Sequence, residues 1–150
     1  MASADRAELP ADLRSRLESL GRSLGAREAA HVPAVREAGR RAADLHRRVS
    51  QALEAFQHGL AEAGAAAVAI ELASPRLDDK HVRAVEFELR RGRHVAIVTV
   101  KSRGEVTLVG PFHAGKVEGP CQSVPWGAEP ELDAALAGFL ERFLEQAMTP

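Results

Sequence analysis

The stretch VRAVEFELRRGRHVAIVTVKSRGEVTLVGPF, residues 82–112, decides the fold class. Val85, Phe87 and Leu89 alternate with Glu86, Glu88 and Arg90. After Arg91-Gly92-Arg93, Val95, Ile97 and Thr99 interleave with Ala96, Val98 and Val100. After Ser102-Arg103-Gly104 come Val106, Leu108 and Phe112. Two-residue periodicity in β-branched residues, with glycine at each break, predicts three antiparallel strands joined by tight turns. The middle strand is apolar at both alternating sets of positions. A strand half-exposed to water should not read that way, so both sheet faces are expected to be covered. The C-terminal helix would cover one, and the N-terminal helices or a second subunit the other.

Upstream, Ala65–Ala73 carries Val68, Ile70 and Leu72 in alternation and reads as a first strand, giving four. Its exit, Ser74–Lys80, is longer than a two-residue hairpin. Leu9, Leu13, Leu17, Leu20 and Leu24 fall at helical spacing and form one apolar stripe. Gly21, Gly25 and Pro33 then predict a break near 25–33. A second, long helix is expected from Ala34 to about Ala63, with Val35, Ala38, Ala42, Leu45, Val49, Phe56 and Leu60 recurring every third or fourth residue. Gly64 would stop it. Residues 113–129 read as a long irregular loop of Gly, Pro and polar residues, a kind of segment often tied to function. Pro130 opens a C-terminal amphipathic helix over 130–148, with Leu132, Leu136, Phe139, Leu140 and Phe143 on its apolar face.

The expected fold is α+β: a helical segment over 1–63 with one long helix, then an α+β portion over 64–150 holding a four-stranded antiparallel meander and the last helix. The whole reads as one folding unit. The 150 residues suit one domain. A formal net charge of −1 exerts no global pull toward nucleic acid or membrane. Lys and Arg total 20, and 17 of these are Arg, a bias that reads as a GC-rich bacterial genome. One cysteine leaves no internal disulfide. The start of the chain has no apolar core of a signal peptide, and no run approaches the ~20 apolar residues of a membrane span. The expected location is the cytoplasm.

Candidate chemistry concentrates in the 113–126 loop. His113, Lys116, Cys121, Gln122 and Trp126 are its candidate ligand or partner residues. A Cys121–His113 pair would make a thiolate nucleophile if the two met. Paired carboxylates at Asp78-Asp79 lie in a turn and lack any sign of a desolvated cleft. His81 and His94 flank one hairpin, but no histidine pair has helical metal spacing, so neither metal nor cofactor is expected. Lys116 is followed by Val117 rather than Ser or Thr, which excludes a phosphate loop. Arg40, Arg41, Arg47, Arg48, Arg90, Arg91, Arg93 and Arg103 form local basic clusters that suit phosphate contacts. Against this, residues 1–63 hold ten Arg and nine acidic residues.

The order of elements, long helix, antiparallel strands, C-terminal helix, resembles that of small nucleoid-associated proteins of the YbaB type. The resemblance lies in order alone. It implies nucleic acid as a partner and assigns no residue. The residues themselves favour a non-enzymatic interaction or scaffold module, a homodimer with a further protein partner. Val35, Leu45, Val49 and Phe56 are its expected helix contacts, and the 113–126 loop its second surface. Nucleic-acid binding and a small-ligand or thiol site are the alternatives.

Overall fold

The computed structural model describes residues 9–78, 83–116 and 119–149. His81, Val82, Glu118 and the second carboxylate of the Asp78-Asp79 pair lie outside them. The elements are α1 (Ala11–Glu62), β1 (Glu71–Leu72), β2 (Arg76–Asp78), β3 (Ala84–Arg91), β4 (His94–Lys101), β5 (Glu105–His113), β6 (Cys121–Pro125) and α2 (Glu129–Met148). The fold is α+β, as the alternation predicts. No described helix is long and apolar enough to cross a membrane.

The three-stranded antiparallel meander forms as expected. Phe87 pairs with Val98, and Val98 with Leu108. Gly92 opens the β3–β4 turn at φ 58, a conformation that glycine adopts without a Cβ clash. Gly110 sits where the β4–β5 register shifts between Val95 and Ile97. At φ 105, a Cβ there would come within 2.9 Å of the Val95 carbonyl oxygen, so only glycine lets the two backbones approach.

The sheet has six strands rather than four, ordered β1-β3-β4-β5-β6, with β2 also paired to β3. The expected first strand is reduced to Glu71–Leu72. At Val68 the Gln57 side chain takes both backbone groups: the Val68 N–H donates to Gln57 Oε1 at 2.9 Å, and Gln57 Nε2 donates to the Val68 carbonyl at 2.5 Å. That segment is tied to α1 instead of to the sheet. β6 arises inside the stretch that reads as an irregular loop. Val124 is its only strong β-former, and pairing with β5 recruits it.

The expected break near 25–33 does not interrupt the helix: Pro33 lies inside α1. Its ring removes the N–H that would bond the Ala29 carbonyl, a loss of about 3 kcal/mol in a helix interior. Packing nonetheless divides the chain at this proline, into residues 1–33 and 34–150. Residues 34–62 of α1 therefore belong with the sheet.

One core holds this larger unit together. Val85, Phe87, Leu89, Ala96, Val98, Val100, Val106, Leu108 and Val124 share one sheet face. Ala38, Ala42, Leu45, Val49 and Leu53 of α1 pack in the same cluster with Leu132, Leu136, Phe139, Leu140 and Phe143 of α2. Both helices thus cover one face. The expectation that the N-terminal helices would cover the other face is corrected; the second-subunit branch of that expectation is a separate matter. The other face carries Ala84, Glu86, Glu88, Val95, Ile97, Thr99, Thr107 and Val109, of which Ala84, Val95 and Thr107 are buried, and none of them joins the cluster formed with the two helices. β4 is apolar there because it is central: Ile97 is half-buried between Glu88 and Val109 on the flanking strands. Lateral neighbours do the shielding that a covering layer would otherwise supply.

Phe139 is fully buried at the centre of the α2–sheet contact. Phe139→Ala is expected to lower unfolding stability by about 3–5 kcal/mol through lost burial and the cavity left behind. Urea unfolding followed by far-UV circular dichroism would measure it.

Candidate functional site

Residues 34–62 of α1 and the start of α2 are joined at the rim of the core by charge. Arg48 reaches Asp133 at 2.9 Å and Asp44 at 2.8 Å, with Glu129 at 3.3 Å. Arg41 binds Glu37 at 3.1 Å, donates to the Trp126 carbonyl at 3.2 Å and lies 5.2 Å from the Trp126 ring centroid, within cation–π range. The Asp44 carboxyl is held below its usual range, first by the hydrogen bond from Arg47 and then by the charge of Arg48, against the opposing effect of burial. Burial works against the Arg48 charge, but Asp44, Glu129 and Asp133 outweigh it and hold Arg48 more firmly protonated than usual. The gap these residues enclose with Leu45, Val106 and Leu132 is about 20 Å³, room for no more than a water. Trp126 is therefore a half-buried brace between helix and sheet.

The other loop candidates do not converge. The His113 ring stacks edge-on to His94, with centroids 4.9 Å apart. Lys116 is exposed beside that turn. Cys121 pairs with Val109, four residues along β5 from His113, on the order of 13 Å of strand. No Cys–His dyad forms from that register. Among the described residues, no group of three metal-ligating side chains comes together.

The helix candidates separate as well. Leu45 and Val49 are spent in the chain's own core, while Val35 and Phe56 are half-buried. The basic candidates are largely neutralised. Arg40 binds Glu37, Arg47 binds Asp44, Arg90 binds Glu88, and Arg103 binds Glu105. Arg91 donates to the Ala147 and Ala69 carbonyls, so it serves the C-terminal end of α2, where a cation is favoured. Arg93 is exposed at the β3–β4 turn.

Besides the open face of the sheet, two surfaces stand out among the described residues. The first is in residues 9–33. Every side chain from Leu9 to Ala30 is exposed, and the leucine stripe stands in water: Leu9 52%, Leu13 42%, Leu17 51%, Leu20 52% and Leu24 46% exposed. The second is a groove between β6 and α2, lined by Gln122, Ser123, Val124 and Pro125 on one side and Glu131, Ala134, Ala135, Gly138 and Arg142 on the other, with a volume of about 530 Å³. Sequence reasoning finds the stripe from its spacing. It misses the groove because it misses β6; the bounding prolines, Pro120 and Pro125, are the only local hint.

No protein-family model, curated protein or solved structure gives a significant match to this chain. The functional reading therefore rests on these surfaces.

Because the folded chain holds Asp44 below its ordinary value of 3.8, it binds fewer protons there than the unfolded chain does. That stabilisation is present above the unfolded value and is lost as pH falls through the lower folded one. Urea midpoints measured from pH 6 to pH 2.5 should decline on the acid side, and Asp44→Asn should flatten that decline. The difference is expected below about 1 kcal/mol, since the pairs are partly solvated.

Proposed function

We propose that this chain is a non-enzymatic interaction module of the cytoplasm that assembles as a homodimer through its N-terminal helix, leaving the sheet domain to carry further contacts. The exposed leucine stripe carries this reading. Leu13, Leu17, Leu20 and Leu24 repeat at 4, 3 and 4, the spacing of a two-stranded coiled-coil seam. The stripe is narrow and flanked by Arg14, Arg16, Glu18, Gly21 and Ser23, so it suits another narrow seam rather than a broad groove.

The helix also needs such a partner. Gly21 and Gly25 each weaken it by about 1 kcal/mol relative to alanine, and no packing within residues 9–33 offsets that loss. Five half-exposed leucines present on the order of 500 Å² per chain. Two copies would then remove on the order of 1,000 Å² from water, the lower bound for a specific interface. Charge offers no obstacle: Asp12, Glu18 and Glu28 interleave with Arg14, Arg16, Arg22 and Arg27. The arginine reading, nucleic-acid binding, has weaker support because most of those guanidinium groups already face carboxylates.

Light scattering on the full chain is expected to give a dimer. The Leu17→Glu/Leu20→Glu double variant should weaken association at least ~100-fold, about 2.7 kcal/mol, by placing charge in the seam. Its thermal unfolding should otherwise match that of the parent's sheet domain. A parent that is monomeric at all accessible concentrations, or a double variant that still dimerises, would defeat the reading.

A further inference from the structure

β6 is one edge of the sheet, with no further strand beside it among the described residues, and its backbone can be read group by group. Gly110 N–H donates to the Pro120 carbonyl at 2.7 Å, and Trp126 N–H donates to the Gly104 carbonyl at 3.0 Å. Antiparallel ladders alternate hydrogen-bonded and non-bonded pairs. Between these two fixed points, Gln122 and Val124 direct their backbone groups to β5. Cys121 and Ser123 therefore turn both N–H and C=O outward. The Pro125 carbonyl is already taken by the Ala128 N–H at 3.1 Å. Four outward main-chain groups, two donors and two acceptors, stand along one side of the groove.

The opposite wall is α2, which leaves the end of β6 and runs back beside it. Small residues, Ala134, Ala135 and Gly138, keep that wall low. Glu131 stands at one end, while the Arg142 side chain folds back along the helix, its guanidinium 3.3 Å from where a Cβ on Gly138 would be; both residues are exposed, and neither has an ion pair among the described residues.

We infer that this groove takes an extended peptide segment of a partner protein, added antiparallel to β6 as a further strand. Such a segment bonds its main chain to Cys121 and Ser123. Its side chains opposite Val124 and Gln122 point toward α2 and fill the space above Ala134, beside the Arg142 guanidinium that covers Gly138. A basic residue at its start meets Glu131, and an acidic residue at its end meets Arg142. Main-chain bonds supply affinity and alternate side chains supply selectivity.

A second copy fits less well. α2 lies centrally over β5, so β6-to-β6 pairing would set the two α2 helices about 14 Å apart, three strand spacings. Helices pack at about 8–10 Å, and the small residues facing the gap cannot fill it. A peptide brings its own side chains to that space.

The test uses the full chain and a fluorescein-labelled probe, Lys-Thr-Leu-Thr-Leu-Thr-Glu, capped at both ends, followed by fluorescence anisotropy. Binding is expected to be at least ten-fold tighter than for Glu-Thr-Leu-Thr-Leu-Thr-Lys. Ser123→Pro, which removes an outward donor and no ladder bond to β5, should weaken it at least ten-fold, while Ser123→Ala should not. Gly138→Leu, which fills the groove, should weaken it similarly without touching the edge. Circular dichroism would confirm that each variant is folded.

Three results would overturn the inference: no saturable binding of the first peptide, equal or tighter binding of the charge-swapped one, or indifference to both Ser123→Pro and Gly138→Leu. A dimer that survives Leu17→Glu/Leu20→Glu but dissociates with Ser123→Pro would make a second copy the occupant and overturn it too. Since the probe addresses β6 alone, the leucine-stripe reading stands or falls separately.

Discussion

One contact sustains the larger unit: the apolar face of the central strands against two helices at once. Val98 sits between Phe87 and Leu108 in the sheet and is fully buried. Over that row lie Phe139 and Phe143 from one helix and Leu45 and Val49 from the other. No single helix is wide enough to cover nine sheet positions. The sheet face needs both, and each helix needs the sheet, because neither buries its stripe alone. At an order of 25 cal/mol per Å² of apolar surface, this shared burial dominates every polar contact in the unit.

The charged rim follows from that arrangement. Two helices laid on one face meet along a line, and Arg48 stands on that line with Asp44, Glu129 and Asp133 around it. Such partly solvated pairs contribute little net stability. Their effect is to fix how α2 enters, with Trp126 and Arg41 holding the turn that leads into it. The same pairs consume the arginines that would otherwise present a cationic surface. Crowding both helices onto one face also leaves α2 beside an open strand edge, and the β6 groove is the space between them.

Much of this was legible in the residues. The meander strands carry apolar residues at alternate positions, and the two turns between them hold Gly92 and Gly104, so local and tertiary preferences agree. The helices declare themselves by three-and-four spacing. The leucine stripe is legible for the same reason, since five leucines at helical spacing need no tertiary context to be seen. β6 was not legible. Cys121-Gln122-Ser123-Val124-Pro125 has almost no intrinsic β preference, and only a partner strand makes it one. Which face the helices take was not legible either, because β4 is apolar on both sides and its residues alone do not say that both helices lie over Val98 rather than over Ile97. The continuity of α1 through Pro33 shows a local rule outweighed by the helix on either side. The groove residues Ser123, Gly138 and Arg142 escaped notice because their meaning depends on β6 existing.

The two open surfaces differ in kind, and the difference bears on how a module of this sort would work. The leucine stripe is a row of side chains: on the reading proposed above it would select a helix by spacing, with no use for backbone groups, which α1 already satisfies internally. The β6 edge is the reverse, a row of outward backbone groups that, on the inference above, would select an extended chain. Two such surfaces do not compete for the same class of partner. If the stripe brings two copies together, the assembly carries two β6 edges. A partner with two extended segments would then bind the second edge as an intramolecular event, at an effective concentration set by its linker rather than by its abundance. Individually weak strand addition would thereby become selective for partners that present their segments in pairs.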